Sequence, residues 1–199
     1  MSKTISTSGT KLRIIQAATK IFAKNGFNKA TISNISREAG LSEGALYEYF
    51  KGKEDILISI PDLWISDAKE EIVEQLFGID GSFNKLRKFL WWFLRYVEKN
   101  SGTASVTFLC LKTSKKFLDT KVYSNVKHVY SVLLNIFKEG RESGEMKADL
   151  DPYIARAIFL GTIEHIIIRW LLKDMSYSLF DKLDQTFDLL VDAFKKARP

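Results

Sequence analysis

The residues best suited to chemistry lie close together near the start of this 199-residue chain. Gly44 and Ala45 have almost no side chain, so a helix that begins with them can bring its backbone close to the base edges of a duplex. Lys51, Lys53 and the N-terminus of the helix that follows them are placed where phosphates would pass. This chemistry indicates binding to double-stranded nucleic acid rather than a covalent reaction.

The remainder of the chain carries no arrangement typical of catalysis. Its only histidines, His128 and His165, fall on different predicted helices, and no HExxH motif, P-loop or glycine-rich dinucleotide turn is present. A single cysteine, Cys110, excludes an internal disulfide and a multi-cysteine metal site. We therefore expect no catalytic residue, no metal and no cofactor, and we expect that the chain is not an enzyme.

The residues that could meet nucleic acid belong to a helix-turn-helix pattern. One helix of eight or nine residues begins near Thr31 and ends at Gly40, and a second short helix begins after Ser42, a suitable N-cap. At about 1.5 Å per residue, the segment 43–49 is roughly 10 Å long, which suits a major groove about 12 Å wide.

Helical spacing of apolar residues extends over almost the whole chain, whereas the alternation typical of strands is absent. We predict an all-α fold of about nine helices, with a helix-turn-helix domain over residues 1–52 and a larger helical body over residues 53–199. Besides the two short helices of the head, the predicted helices are 11–24, 53–77, 82–99, 103–118, 120–142, 152–173 and 178–196.

Net charge is concentrated at the N-terminal end. Residues 1–55 hold nine basic and five acidic side chains, and their charge of +4 is two thirds of the +6 of the whole chain. An acidic partner is therefore expected at that end.

No apolar stretch is long enough to span a membrane, since the longest uninterrupted apolar run is the six residues 89–94. The first ten residues are rich in Ser and Thr and lack the apolar core of a signal peptide. We expect a cytoplasmic protein with no membrane partner.

The helix-turn-helix segment resembles the DNA-binding signature of the TetR family of bacterial repressors. The resemblance in motif covers about residues 11–57, and the length near 200 residues also fits that family. The matching positions are Phe27, Thr31, Ile32, Ile35, Ala39, Gly40, Leu41, Ser42, Gly44, Leu46, Tyr47, Tyr49, Phe50, Lys53 and Glu54.

This resemblance implies roles for individual residues. Thr31 would bind a phosphate through its hydroxyl and backbone N–H, and Tyr47 and Lys53 would each contact a phosphate. The part of the recognition helix that enters the groove would be formed by Ser42, Glu43, Gly44 and Ala45. Tyr49 could contact DNA or pack within the head.

Two carboxylates depart from the family pattern. Glu43 and Glu48 stand where many relatives have Lys, Arg, Thr or His. A carboxylate can accept a hydrogen bond from cytosine N4, but it also repels phosphate, so the operator sequence stays open.

Aromatic residues crowd the body and allow two interpretations. They could form a packed core, or they could line a chamber for an apolar small molecule. The candidate pocket residues are Trp92, Tyr96, Phe108, Tyr123, Tyr130, Phe159 and Ile163.

The last two long helices are apolar enough to pair with a second copy. TetR relatives dimerise by pairing these helices into a four-helix bundle, and a segment of about a dozen residues from Gly161 also resembles FadR-like members that respond to long-chain acyl-CoA. The candidate interface residues are Gly161, His165, Ile168, Phe187, Leu190 and Phe194.

Together these features predict a homodimeric transcriptional repressor that binds palindromic operator DNA. An apolar effector, with long-chain acyl-CoA as a candidate, would release it. One other interpretation remains open: a DNA-binding regulator without an effector, whose body serves only dimerisation or partner docking. An enzyme with a vestigial head would predict turnover and no operator, and the charge of +4 at the N-terminal end argues against it.

Overall fold

The computed structural model describes residues 2–112, 117 and 121–196. Within those ranges it contains nine α-helices, one π-helical segment and no β-strand, so the all-α prediction is confirmed. The α-helices are α1 (Ser2–Asn25), α2 (Ile32–Ala39), α3 (Glu43–Tyr47), α4 (Lys53–Leu76), α5 (Ser82–Lys99), α6 (Ser101–Ser105), α7 (Lys121–Glu142), α8 (Pro152–Leu172) and α9 (Leu183–Phe194).

Three helices differ from their predicted extents. Helix α1 begins at Ser2 rather than at residue 11, and α9 covers only Leu183–Phe194 of the predicted 178–196. Instead of one regular helix over 103–118, α6 is followed by the π-helical segment Val106–Leu111, and residues 113–116 and 118 lie outside the described residues.

The chain forms two compact units. The first comprises Met1–Ser66 and Asn100–Ser124, and the second comprises Asp67–Lys99 and Asn125–Pro199. Helices α4 and α7 therefore contribute residues to both. The predicted boundary between residues 52 and 53 separates a DNA-binding domain from a ligand-binding and dimerisation domain. These compact units do not test that boundary, which stays a prediction.

In the first unit, α1 packs against α2, and α2 against α3. Helix α6 and the π-helical segment also pack against α1. The interior between them is apolar, which fixes the orientation of the short helices. Its buried side chains include Ile14, Ala18, Phe22, Ile35, Leu46 and Phe50.

In the second unit, aromatic rings connect four helices. Phe159 on α8 lies 6.4 Å from Phe89 on α5 and 5.9 Å from Phe137 on α7, measured between ring centroids. Phe137 in turn meets Phe194 on α9 edge to face at 5.3 Å. All four rings are buried, so they form a continuous core.

Candidate nucleic-acid interface

Local hydrogen bonds fix both ends of the turn between α2 and α3. Gly40 adopts a left-handed conformation with φ of 65°. Its N–H donates to Arg37 O, and the N–H of Leu41 donates to Ser36 O, the two bonds of a Schellman motif. Arg13 Nη2 also donates to Ala39 O at 2.6 Å. The direction in which the chain enters α3 is therefore determined by α1 as well as by the turn.

Helix α3 is held by one buried anchor and one cap. Leu46 is fully buried, and the Ser42 hydroxyl accepts a hydrogen bond from the N–H of Ala45 at 3.2 Å. With Leu46 turned inward, the opposite side of the helix faces solvent. Its exposed residues are Ser42, Glu43, Gly44, Tyr47 and Glu48, whereas Ala45 is half-buried.

Thr31 is the N-cap of α2, and its hydroxyl accepts from the N–H of Asn34 at 3.1 Å. A threonine hydroxyl has one donor besides its acceptor sites. Since the side chain is exposed, the same hydroxyl can cap the helix and donate to a phosphate.

The three aromatic residues of this region occupy different environments. Tyr47 is 54 % exposed, Tyr49 is half-buried, and Phe50 is buried. Tyr47 therefore presents its hydroxyl to a partner, while Phe50 belongs to the core.

Lys53 lies in a different environment from the exposed lysines. Its ammonium donates to Phe27 O at 3.1 Å, Ala30 O at 3.3 Å and Asn28 O at 3.5 Å. It also lies 4.5 Å from the centroid of the Phe27 ring. These contacts join the start of α4 to the loop between α1 and α2, across more than twenty residues of sequence.

The remaining basic residues of the region are mostly directed to solvent. Lys20 is paired with Glu38 at 2.6 Å. Exposed cationic side chains that could meet phosphates are Lys11, Lys24, Lys29, Arg37 and Lys51.

Cys110 lies in the π-helical segment and is half-buried. Burial raises the pKa of its thiol, although a hydrogen bond with the Phe27 backbone opposes the shift. The thiol is thus kept in its neutral, less reactive form.

The residues predicted to line a ligand chamber divide between the two units. Phe108 and Tyr123 belong to the first unit, and the other five belong to the second. In the second unit, Trp92 and Tyr96 have ring centroids 5.4 Å apart, and Phe159 and Ile163 are fully buried.

Two carboxylates that no sequence motif marks are hydrogen-bonded to these aromatic residues. Glu71 Oε1 accepts from Trp92 Nε1 at 2.9 Å, and Glu164 Oε1 accepts from the Tyr130 hydroxyl at 2.8 Å. Both glutamates are half-buried. The only signal for Glu164 is that it interrupts an apolar helix, and no local signal identifies Glu71.

The predicted interface residues also fall into two groups. Gly161 and His165 are exposed and Ile168 is half-buried, whereas Phe187 and Phe194 are buried within the second unit. Helices α8 and α9 form a groove of about 800 Å³, to which the largely buried Leu190 contributes. The groove is lined by Ala157, Ile158, Gly161, Thr162, His165, Ile166, Thr186, Leu189 and Leu190.

Exposed apolar residues extend this face of α8 beyond the predicted set. Ile154, Ile158, Gly161 and His165 recur at steps of three or four residues, which places them along one side of the helix. Leu189 on α9 is 71 % exposed. The periodicity that identified Gly161 and His165 could have identified Ile154 and Ile158 as well.

Among the described residues, no helix combines the length and apolar character needed to cross a bilayer. Over the same ranges, no three His, Cys, Asp or Glu side chains are grouped in a way that could hold a metal ion.

Two stretches of the chain match known protein families. Residues 14–60 match the family described as bacterial regulatory proteins, tetR family, and residues 65–193 match the YsiA-like protein, C-terminal region. The fatty acid metabolism regulator protein of Bacillus subtilis is 32 % identical over 180 residues, which cover 90 % of this chain and 93 % of that protein.

Two solved structures share the fold over nearly the whole chain. The FadR transcriptional regulator of Bacillus subtilis, crystallised in complex with stearoyl-CoA, superposes with a TM-score of 0.81 at 32 % identity, covering 90 % of this chain and 97 % of its own. The fatty acid degradation regulator FadR of Bacillus halodurans gives a TM-score of 0.82 at 28 % identity, covering 92 % and 94 %.

Proposed function

Since the chain belongs to the TetR family of bacterial transcriptional regulators, we propose that it is a ligand-responsive homodimeric repressor. In this proposal it binds palindromic operator DNA and is released by an apolar small molecule, for which long-chain acyl-CoA is the candidate class. The regulator class is established by the family, whereas the dimer, the palindrome and the effector are the proposal.

The DNA-binding part is carried by the geometry of α3. Leu46 anchors the helix to the interior, so its exposed side presents small and polar residues, including Gly44 and Tyr47. Thr31 and Ser42 cap the two helices of the motif with hydroxyls that retain a donor. A dimer would place two such helices in successive major grooves, about 34–36 Å apart.

The dimer part is supported by the exposed face of α8 and α9. Gly161 stands within α8, where glycine costs about 1 kcal/mol of helix stability relative to alanine. A Cβ at this position would meet nothing within 4 Å in the single chain. A second copy that approaches closely over the apolar groove would account for both the glycine and the exposed Ile158 and Leu189.

The effector part is supported by the solved relative that holds stearoyl-CoA. This chain shares 32 % identity with that relative over most of both lengths. Its second unit has the apolar and aromatic interior that an acyl chain requires. We propose that effector binding shifts the dimer to a geometry with the wrong head-to-head spacing. A coupling of about 1–3 kcal/mol, or roughly 5- to 150-fold in affinity, is typical of such regulators.

The test is a titration of purified full-length protein with fluorescent duplex DNA from its own upstream region, at one fixed salt concentration. Stearoyl-CoA is then added, and coenzyme A and free stearate serve as matched controls. Release by stearoyl-CoA alone supports the whole proposal. Release by free stearate would instead identify the fatty acid as the effector.

A regulator without an effector is the second candidate. It is favoured by the ring contacts that join Phe89, Phe159, Phe137 and Phe194 into a packed aromatic core of the second unit. In that case calorimetry would detect no binding of stearoyl-CoA to the full chain, and adding stearoyl-CoA would not change the operator affinity measured in the DNA titration.

A further inference from the structure

The ammonium of Lys53 donates hydrogen bonds to the backbone of its own chain. Three backbone carbonyls, those of Phe27, Asn28 and Ala30, lie 3.1–3.5 Å from Nζ. An ammonium has three donors and no acceptor, so these carbonyls match its full hydrogen-bonding capacity. The ring of Phe27 contacts the same charge from 4.5 Å.

A phosphate contact would require this arrangement to open. To reach a phosphate, Nζ would have to give up its hydrogen bonds to these carbonyls. Those bonds are charge-assisted and therefore stronger than hydrogen bonds between neutral groups. The loop that contains them ends directly before Thr31, the N-cap of α2. Whatever fixes the loop therefore also fixes the Thr31 hydroxyl and the first backbone N–H groups of α2.

We propose that Lys53 is a positioning residue rather than a phosphate ligand. It ties the first turn of α4 to the loop before α2 and so holds the start of α2 in its DNA-binding position. This departs from the phosphate contact that the family resemblance implies for the same residue. The inference rests on the proposed function, because it assigns a role within DNA binding.

The salt dependence of operator binding separates the two roles. Each phosphate contact contributes about 0.9 to the slope of log K against log salt concentration. A phosphate-binding lysine that is lost from both heads of a dimer therefore flattens the slope by about 1.8. A positioning residue weakens binding by a similar factor at every salt concentration and leaves the slope unchanged.

We would measure these slopes for the wild type, Lys53→Gln and Lys53→Arg, with Lys196→Gln as the matched control. Lys196 is an exposed lysine of the second unit, outside the helix-turn-helix motif, and its replacement measures the effect of removing one surface charge. We expect Lys53→Gln to lose about tenfold in affinity, roughly one charge-assisted hydrogen bond, with no more flattening of the slope than Lys196→Gln.

Lys53→Arg gives the clearest distinction. Arginine keeps the charge and binds phosphate well, but its planar fork cannot replace a compact ammonium among three carbonyls. We expect it to lose affinity as Lys53→Gln does. Wild-type affinity in Lys53→Arg, or flattening by about 1.8 in Lys53→Gln, would overturn the proposal.

Thermal unfolding without DNA provides an independent readout. Loss of the three hydrogen bonds should lower Tm by about 3–6 °C in Lys53→Gln and Lys53→Arg, while Lys196→Gln should leave it unchanged. Unchanged Tm in both Lys53 variants would also overturn the proposal. If the wild type binds no duplex, the proposed function fails independently of the role of Lys53. The Tm comparison without DNA still decides whether Lys53 ties α4 to the loop.

Discussion

At the scale of single residues, hydroxyls serve two purposes in the helix-turn-helix motif. The Thr31 hydroxyl accepts from the N–H of Asn34, and the Ser42 hydroxyl accepts from the N–H of Ala45. Each still has a proton to donate outward. The same atom can thus stabilise a helix in the free protein and bind a phosphate in the complex.

Thr31→Ala should therefore reduce both stability and DNA affinity. Loss of an N-cap hydroxyl costs about 1 kcal/mol of unfolding free energy, and loss of the phosphate donor should weaken operator binding several-fold. Chemical denaturation and DNA titration measure the two effects. Thr31→Ser keeps the hydroxyl and is the matched control, which should retain both properties. Equal stability of the alanine and serine variants would contradict the capping role.

At the scale of helices, packing between α7 and α5 depends on a glycine. A Cβ at Gly140 would lie 2.7 Å from Met146 Cε and 2.9 Å from Ser82 Cβ. The methionine tip could move aside, but Ser82 Cβ is fixed to the backbone at the start of α5.

Gly140→Ala should consequently destabilise the protein although alanine is the better helix former. The expected loss is about 1–3 kcal/mol, as for other overpacked cores, measured by urea unfolding. Gly102→Ala is the control, because a Cβ there would make only an ordinary contact with Thr19 at 3.7 Å. Equal stabilities of the two variants would show that the core accommodates the extra methyl group.

Pro61 lies within α4, where it cannot donate a hydrogen bond to the carbonyl of Leu57. Helix α4 contributes residues to both units. Because residue 61 makes no backbone hydrogen bond to residue 57, α4 can bend there without breaking one, and such a bend could transmit an effector signal. We expect Pro61→Ala to reduce the factor by which stearoyl-CoA weakens operator binding, measured in the same DNA titration. An unchanged factor would remove Pro61 from the mechanism.

Helix ends were predictable where the sequence carries a terminating signal. The predicted helices 53–77, 82–99 and 152–173 agree within one residue with α4, α5 and α8. Gly78 and Gly81, which separate the first two, both adopt positive φ in the structure, and Asp151 caps the start of α8. The late start of α9 was missed, since its N-cap, Lys182, adopts a positive φ without being a glycine. The π-helical segment was missed because apolar spacing assumes a regular α-helix.

Long-range polar contacts could not be predicted from the sequence at all. The family pattern identified Lys53 as a candidate, but its three carbonyl partners lie 23–26 residues away. The pairing of Trp92 with Glu71 likewise depends on how α4 and α5 pack. Such contacts are set by the tertiary fold, whereas the helix-turn-helix motif is set by local caps and turns.

At the scale of the whole molecule, the proposed dimer must bury residues that the single chain leaves in solvent. Leu189 is 71 % exposed and Ile158 is 48 % exposed, and both line the groove along α8 and α9. Phe187 and Phe194 already belong to the interior of their own unit. Substitutions at Leu189 can therefore separate assembly from folding, which substitutions at the two phenylalanines cannot.

Leu189→Asp should break the dimer without unfolding the chain. A carboxylate at this exposed position changes the unfolding free energy of one copy by at most about 0.5 kcal/mol, but burial against a second copy would leave it unpaired. We expect sedimentation equilibrium to show monomers at concentrations where the wild type is dimeric. Operator affinity should fall by at least 100-fold, because two linked heads gain about 10²–10⁴ in avidity over one. Val73→Asp, at a similarly exposed apolar residue on α4, should affect neither measurement. If Leu189→Asp remained dimeric, the two copies would have to meet through a surface other than the α8 and α9 groove.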